Sequence, residues 1–160
     1  TIQHAGIIVG MEGHASHIFR GMSEAATGIF GSVNWYRNYL ALTGACLMIR
    51  KEVFTELGGF DEECGLVFND VELGVRAWKA GYRNLYTPFA QLIHHEGRSR
   101  GSYIPPQDIH WGAAKLLDMI EQGDPYYNLN LSTTVHYPTL RRQCEEDAVT
   151  RLEKIVRLKG

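Results

Sequence analysis

Two acidic side chains and a pair of histidines are the residues of this sequence whose types and spacing suit chemistry. Asp70 and Glu72 lie at the start of a run with helical character, and His94 and His95 follow one short fold unit later. A carboxylate within reach of a hydroxyl can act as a general base, and an imidazole nitrogen is a common ligand of divalent metals. We therefore expect transfer chemistry or metal binding in this part of the chain.

Each pair also has an ordinary structural explanation. Acids in the first turn of a helix complement the helix dipole, and adjacent residues of a strand point to opposite faces, so only one of the two histidines can face a given site. The functional interpretation gains weight from the combination of the two pairs at the ends of neighbouring elements, where α/β proteins place their ligands.

The elements that must position these residues are a helix and two short strands. Asn69 is a good N-cap, and Glu72 completes a capping-box pattern, so a helix is predicted from residue 69 to Gly81. A strand is predicted over 83–87, Pro88 breaks it, and a second strand over 90–93 delivers the histidines.

The flanking sequence predicts further short elements. Before the central helix, we expect a strand over 2–9, a long loop over 10–31, a buried strand over 47–49 and a helix over 51–57 that Gly58 and Gly59 end. His14 and His17 in the loop are weak ligand candidates, and Cys46 is expected in the core. After the histidine pair, we expect a helix over 107–121 closed by Gly123, a turn over 124–128 and a last helix from Leu140 to Ile155.

Composition excludes several classes of protein. A formal net charge of -2 over 160 residues offers no strongly basic face for nucleic acid, and no apolar run approaches the roughly 20 residues that span a bilayer. The three cysteines form neither a disulfide framework nor a zinc pattern, which indicates a reducing compartment. We expect a cytoplasmic protein, working in the cytosol or at the inner face of the membrane.

Several spaced motifs in one order carry a resemblance to a known family. They are Thr43–Arg50, Val53–Phe54, Leu57–Glu62, Phe68–Leu73, Ala80–Arg83 and His94–Glu96, with Asp124–Asn128 as an extension. The sequence resembles the family 2 glycosyltransferases, and within them the rhamnosyltransferase-like group that acts on bacterial surface polysaccharides. The resemblance implies an α/β chain with a GT-A fold, and inverting transfer of a sugar from a nucleotide-sugar donor to an acceptor hydroxyl.

The resemblance also implies roles for individual residues. Asp70 stands where the catalytic base sits, and His94, ahead of His95, stands where a histidine helps to hold Mn²⁺ or Mg²⁺ on the donor diphosphate. Gly44, Asp61 and Glu72 would line the acceptor site. Arg98 and Arg100, in a basic loop, would approach the diphosphate.

One departure from the family pattern concerns what is absent. The family's nucleotide-binding half is Rossmann-like and ends in an Asp-x-Asp metal motif, and neither is found here. We therefore expect a partial GT-A fold, a mixed short sheet with flanking helices. The chain would be a single domain, 1–160, forming the carboxy-terminal half of a longer enzyme, with a catalytic and acceptor core over 1–105 and a helical extension over 106–160. Activity of the isolated chain is not expected.

Two other functions remain open at this stage. A metal-dependent hydrolase would use Asp70, Glu72 and His94 as ligands, but it needs further ligands that no HxH, HxxEH or DxD spacing supplies. A non-catalytic interaction module would use the loop over 10–31 and the last charged helix as binding surfaces.

Overall fold

The computed structural model describes residues 1–28, 31–95 and 104–159. Within these ranges the chain mixes helices with short strands. The strands are β1 (Ile7–Val9), β2 (Ala15–His17), β3 (Thr27–Gly28), β4 (Gly31–Ser32), β5 (Arg37–Tyr39) and β6 (Asn84–Tyr86). The helices are α1 (Lys51–Glu56), α2 (Asn69–Lys79), α3 (Pro106–Gln122) and α4 (Ala148–Lys159), with 3-10 turns at Met11–Gly13 and Gly44–Cys46. The expected α/β composition is confirmed.

The strands form three antiparallel pairs, β1 with β2, β3 with β4, and β5 with β6. In the first pair, Ile7 lies opposite His17 and Val9 opposite Ala15. This hairpin contradicts the predicted loop over 10–31. The chain reverses through the first 3-10 turn because Gly10 adopts a positive φ of 92°, a conformation that glycine reaches without steric cost.

Strand β6 confirms the strand predicted over 83–87, and the structure limits it to Asn84–Tyr86. It pairs with β5 so that Tyr39 lies opposite Asn84. The Asn84 side chain then donates hydrogen bonds to the carbonyls of Leu40 at 2.8 Å and Gly74 at 2.9 Å. Asn84 thereby connects helix α2 to the segment that follows β5.

Helix α2 begins where the sequence predicts but is capped differently. Its N-cap is Phe68, in the left-handed region with φ 70°, whose side chain makes no capping hydrogen bond. The predicted capping box is wrong, because the Glu72 carboxylate bonds to Arg76, one turn further along the helix. A guanidinium at this spacing is a strong partner for a carboxylate.

Helix α2 also packs very closely on the chain that follows β5. A Cβ added at Gly74 would lie only 2.8 Å from the Leu40 carbonyl oxygen and 2.9 Å from the Cα of Ala41. Only glycine allows the helix and the backbone to approach so closely.

One hydrophobic cluster joins the first and last parts of the chain. Its buried members are Ile7, Val9, Ala15, Leu40, Ala41, Phe68, Val71, Val75, Leu116, Met119, Ile120 and Leu152. Helix α4 packs against α3 and against the 3-10 turn Met11–Gly13. The core therefore draws on residues from both sides of position 105, and the boundary placed there stays a prediction.

Helices α1 and α3 confirm two sequence predictions. Helix α1 ends before Gly58 and Gly59, both of which have positive φ, and α3 ends at Gly123, also with positive φ. The last helix begins at Ala148 rather than at Leu140. Leu140 and Cys144 are exposed, and the Asp147 carboxylate accepts the Thr150 N–H at 2.8 Å, as expected of a helix start.

Two predicted strands are absent. Neither 47–49 nor 90–93 belongs to a strand, and Met48 is 97% exposed. Cys46, expected in the core, is exposed. A short apolar run becomes a strand only when another strand supplies its hydrogen bonds, and the described residues place none beside these two segments. Among the described helices, none is long and apolar enough to cross a membrane.

Candidate active site

The Asp70 carboxylate is held in place by two backbone N–H groups. Oδ1 accepts from Val71 at 2.9 Å, and Oδ2 accepts from Gly44 at 2.7 Å. The first contact is local to the helix start, and the second comes from a distant segment. Asp70 is half-buried, so its carboxylate is fixed in direction and still borders solvent.

Gly44 approaches Asp70 closely. It opens the second 3-10 turn, which Thr43 caps by accepting the Ala45 N–H at 3.4 Å. A Cβ on Gly44 would lie 3.4 Å from the Asp70 Cβ and 3.6 Å from Oδ2, at ordinary van der Waals distance. The structure therefore brings together two of the residues singled out from the sequence, one as base and one as part of the acceptor site.

Glu72 faces a different partner. Its carboxylate bonds to Arg76 with an Nε to Oε1 distance of 2.9 Å. The same guanidinium donates to the carbonyls of Leu57 and Gly59, so it connects α2 to the end of α1. Sequence analysis did not single out Arg76, although an acid followed four residues later by an arginine was a signal that could have found it.

Asp61 follows Gly59, the carbonyl partner of Arg76, by two residues and begins the loop before α2. Oδ2 receives a hydrogen bond from Lys115 of α3 at 2.8 Å, and Oδ1 receives one from the Glu63 N–H at 3.0 Å. These two hydrogen bonds, the Lys115 bond first, lower the pKa of the Asp61 carboxyl below its ordinary value. Asp61 is therefore an anion tied to helix α3.

The histidine pair lies in an exposed segment, residues 91–95. His94 Nδ1 is 2.8 Å from the Gln3 side-chain oxygen, and His95 is exposed. Gln3 is the neighbour of His4, whose Nε2 accepts the Thr43 N–H at 3.5 Å, next to Gly44. His94 and Asp70 are thus connected through the segments around His4 and Gly44. Arg98 and Arg100 lie outside the described residues.

His4 is a residue that sequence analysis missed. Its Nδ1 lies 2.9 Å from Nδ1 of His17, and the two rings meet edge to face. Loss of solvation, and secondly the neighbouring His17, lower the pKa of His4 to about 3. A neutral His4 Nε2 can therefore accept the Thr43 N–H at any physiological pH. No signal in the sequence distinguished it, since it lies in a predicted strand.

Within residues 1–28, 31–95 and 104–159, no group of three or more His, Cys, Asp or Glu side chains could hold a metal ion. Glu72 is engaged by Arg76, and His94 by Gln3. The described residues therefore do not fit a complete metal centre, and we derive no chemical step through a metal. The hydrolase alternative, which needs Asp70, Glu72 and His94 on one ion, gains no support from this arrangement.

The arrangement can perform one kind of chemistry on its own. Asp70 offers a carboxylate with fixed orientation at the protein surface, and a carboxylate accepts hydrogen bonds at several lone-pair sites beyond the two used here. A hydroxyl brought to that carboxylate could transfer its proton to it.

Comparison with known proteins places the chain in a family. The sequence profile described as "Glycosyl transferase family group 2" matches residues 1–138. The O-antigen biosynthesis protein RfbC of Myxococcus xanthus is 43% identical over 149 residues, which cover 91% of this chain and 12% of that protein. An uncharacterised protein of Sinorhizobium fredii, y4gI, is 36% identical over 139 residues, covering 82% of this chain and 15% of that protein.

A shorter match concerns the N-acetylglucosaminyl-diphospho-decaprenol L-rhamnosyltransferase of Mycobacterium tuberculosis. It is 43% identical over 60 residues, covering 38% of this chain and 20% of that enzyme. The chain thus spans a fifth or less of the length of each of these relatives. No solved structure matches the chain significantly. The profile match over 138 of 160 residues shows that this chain belongs to the family group 2 glycosyltransferases.

Proposed function

We propose that this chain forms the acceptor and catalytic part of an inverting glycosyltransferase, with Asp70 as its general base. The observation that carries the proposal is the Asp70 carboxylate, fixed by Gly44 and Val71 and open to solvent, in a chain of this family. A base that must accept a proton from a hydroxyl needs a fixed direction and an accessible oxygen. Asp70 has both.

The reaction is a single displacement at the anomeric carbon of the donor sugar. The acceptor hydroxyl gives its proton to the Asp70 carboxylate while its oxygen forms the new glycosidic bond. The bond between the anomeric carbon and the diphosphate oxygen breaks, and the electron pair leaves with the nucleoside diphosphate. Attack from the face opposite the leaving group inverts the anomeric configuration.

The remaining site residues are assigned to the two substrates. Gly44, Asp61 and Glu72 would line the acceptor side, with Glu72 held by Arg76 and Asp61 by Lys115. Arg98, Arg100 and the histidine pair would face the donor diphosphate. A divalent cation, Mn²⁺ or Mg²⁺, would belong to the whole enzyme, in which an Asp-x-Asp motif would add ligands to those of this chain.

Three exposed apolar side chains, called the apolar surface below, support the proposal of a second, nucleotide-binding half with a GT-A arrangement. Met48, Leu92 and Ile93 are 97%, 74% and 87% exposed. All three lie in the segments for which strands were predicted. Leu92 and Ile93 are adjacent in the chain, and large apolar side chains left exposed are candidates for an interface. We therefore propose that the nucleotide-binding half covers this surface in the whole protein.

The relatives suggest the class of substrate. One is named for O-antigen biosynthesis, and another is an L-rhamnosyltransferase whose named acceptor is a polyprenyl-diphosphate saccharide. We propose a role in bacterial surface polysaccharide synthesis, with L-rhamnose as the first donor sugar to examine.

The experiment uses the whole protein that carries this chain. UDP- and dTDP-activated sugars, including dTDP-L-rhamnose, are supplied with Mn²⁺ and a polyprenyl-diphosphate saccharide, and transfer of labelled sugar is measured. Asp70→Asn keeps the size of the side chain and removes the base. We expect kcat to fall by roughly a hundredfold to ten-thousandfold.

The matched control is Glu52→Gln, which alters an exposed acid in the first turn of α1. We expect the control to transfer sugar at the wild-type rate. An Asp70→Asn protein that remains folded and transfers at the wild-type rate would refute Asp70 as the base and favour a non-catalytic module.

A further inference from the structure

Asp108 is a carboxylate in the core, in the first turn of helix α3, with no exposed surface. A buried charge is costly unless other groups satisfy it, so the partners of this side chain explain its presence. Backbone N–H groups of one segment donate three hydrogen bonds to this side chain. Oδ2 accepts from Leu66 at 2.7 Å and Val67 at 2.9 Å, and Oδ1 accepts from Gly65 at 3.3 Å.

The segment that Asp108 holds leads directly to the proposed base. Residues 65–67 are followed by Phe68, the left-handed N-cap of α2, and Asp70 lies two residues beyond it. A left-handed conformation is unfavourable for a bulky residue and persists only when its surroundings enforce it. The Phe68 side chain makes no capping hydrogen bond, and the local side-chain hydrogen bonds of this helix start, to the N–H groups of Asp70 and Val71, begin beyond Phe68. The constraint on Phe68 must therefore come from other parts of the chain.

Helix α3 supplies a second constraint, one turn after Asp108. A Cβ on Gly112 would lie 2.7 Å from Cδ2 of the Phe68 ring, so the ring rests directly on the backbone of α3. Phe68 is buried by this contact and by His14, whose ring centroid lies 5.2 Å from its own. Asp108 and Gly112 thus hold the backbone and the side chain of the helix start from the same face of α3.

We propose that Asp108 is a positioning residue for sugar transfer, since it sets the start of α2 and thereby directs the Asp70 carboxylate towards Gly44. This inference rests on the proposed function of Asp70. It assigns a catalytic consequence to helix α3, which lies in the part of the chain expected to be a helical extension. Asp108 itself touches no substrate, because it is enclosed.

The test uses a graded pair of variants in the whole protein. Asp108→Asn keeps one acceptor oxygen, enough for Leu66 and Val67, whereas Asp108→Ala removes every acceptor. We expect Asp108→Ala to lower kcat at least tenfold and to change the KM for the nucleotide-sugar by less than twofold. Asp108→Asn should retain at least a third of the wild-type kcat. The control is Asp118→Asn, an exposed acid of the same helix, which should not alter kcat.

A second measurement separates positioning from a merely structural role. The amide of Gly44 lies on a different segment from residues 65–67, and Asp70 is its acceptor. We expect hydrogen exchange of the Gly44 amide to become at least tenfold faster in Asp108→Ala, together with that of Leu66 and Val67. If exchange accelerates at 65–67 and the Gly44 amide stays protected, the proposal is overturned, whatever the rate of transfer.

Gly112→Ala provides an independent route if Asp108→Ala does not fold. Its added methyl would displace the Phe68 ring without touching the carboxylate, and the same loss of kcat and of Gly44 protection is expected. Wild-type behaviour in both measurements would overturn the proposal. Hydrogen exchange at Gly44 needs no substrate, so it tests the positioning role even if the wild-type protein transfers none of the sugars. Failure of the wild-type protein to transfer any sugar would count against the proposed function and not against the positioning role.

Discussion

The backbone N–H of Gly44 donates a 2.7 Å hydrogen bond to Oδ2 of Asp70, joining residues 26 positions apart in the chain. The donor opens a 3-10 turn, and the acceptor lies in the first turn of α2. Val71 supplies the other N–H from within the helix. The direction of the Asp70 carboxylate thus depends on how two segments pack as well as on the helix start.

Replacing Gly44 with proline would remove this donor and put the ring Cδ where the N–H now points, so the Asp70 carboxylate would also have to move. Proline is favoured at the first position of a helical turn, and Thr43 already has the extended conformation that a residue before proline needs. We expect Gly44→Pro to lower kcat by at least about 10-fold, because a hydrogen bond to a charged group contributes about 1.5–3 kcal/mol and the ring also displaces the carboxylate. Initial rates of sugar transfer measure this. Gly44→Ala, which keeps the N–H and meets only ordinary contacts, is the control; equal losses in both variants would contradict the prediction.

Arg76 should stabilise the fold more than an ordinary exposed ion pair at the same helical spacing does. Its planar guanidinium bonds to Glu72 and to two carbonyls at the end of α1, which a lysine ammonium cannot reproduce. We expect Arg76→Lys to lower the free energy of unfolding in urea by about 2–3 kcal/mol. The exposed Arg157 pairs with Glu153 at the same helical spacing, and Arg157→Lys should change stability by less than about 0.5 kcal/mol. Similar effects of the two substitutions would argue against a structural role for Arg76.

His4 should make the chain less stable in acid. Its pKa is about 3 in the folded chain and 6.5 as the ordinary value, so the unfolded chain binds the proton more readily. The stability conferred by neutral His4 is complete above about pH 6.5 and is lost as the pH falls towards 3, with a slope of about 1.4 kcal/mol per pH unit.

Urea unfolding at several pH values measures this slope. His4→Gln should lower the slope of the free energy of unfolding against pH, between pH 6.5 and 3, by about 1.4 kcal/mol per pH unit, the contribution of one proton. His95→Gln, at an exposed position, should leave it unchanged. A wild-type slope in the His4 variant would show that His4 does not lose its proton on folding.

The thiols provide a test of the proposed cover over the apolar surface. Cys46 and Cys144 are exposed, whereas Cys64 is buried and its thiol donates to the Val67 carbonyl at 2.6 Å. Burial, and secondly Asp108, raise the pKa of the Cys64 thiol, so it should react slowest with iodoacetamide. In residues 1–160 alone, Cys46 and Cys144 should be labelled at similar rates.

In the whole protein, Cys46 should become at least tenfold slower to label than Cys144, because it adjoins the apolar run that ends at Ile49. Mass spectrometry of the labelled peptides distinguishes the three sites. Equal labelling of Cys46 and Cys144 in the whole protein would mean that nothing covers this surface.

The sequence predicted the elements whose signals are local. Helices α1, α2 and α3 follow from their apolar spacing and from the glycines that end them, and β6 follows from a short run before Pro88. The elements that failed lack such local signals. The segment over 10–31 was taken for a loop because its polar and small residues show no periodicity, yet Ser16 is buried and satisfied by Glu12 at 2.7 Å.

The two apolar segments at 47–49 and 90–93 failed for the opposite reason. Their composition favours strands, buried in the case of 47–49, but burial depends on what packs against them, and the described chain leaves Met48, Leu92 and Ile93 exposed. Composition reports what a segment can bury. It does not report which neighbour is present to bury it.

For the candidate site, the sequence by itself determined which residue types are available and the order of the motifs that place the chain in its family. It placed Asp70 and Glu72 in one helical turn, since that depends only on nearby residues. Tertiary structure decided the distant contacts around them, whereas the Glu72–Arg76 pair lies within one helix. Gly44, Asp108 and Arg76 reach their contacts over 26, 41 to 43 and 17 to 19 positions. Contacts at such separations arise from the packing of the whole chain, because no local preference encodes them.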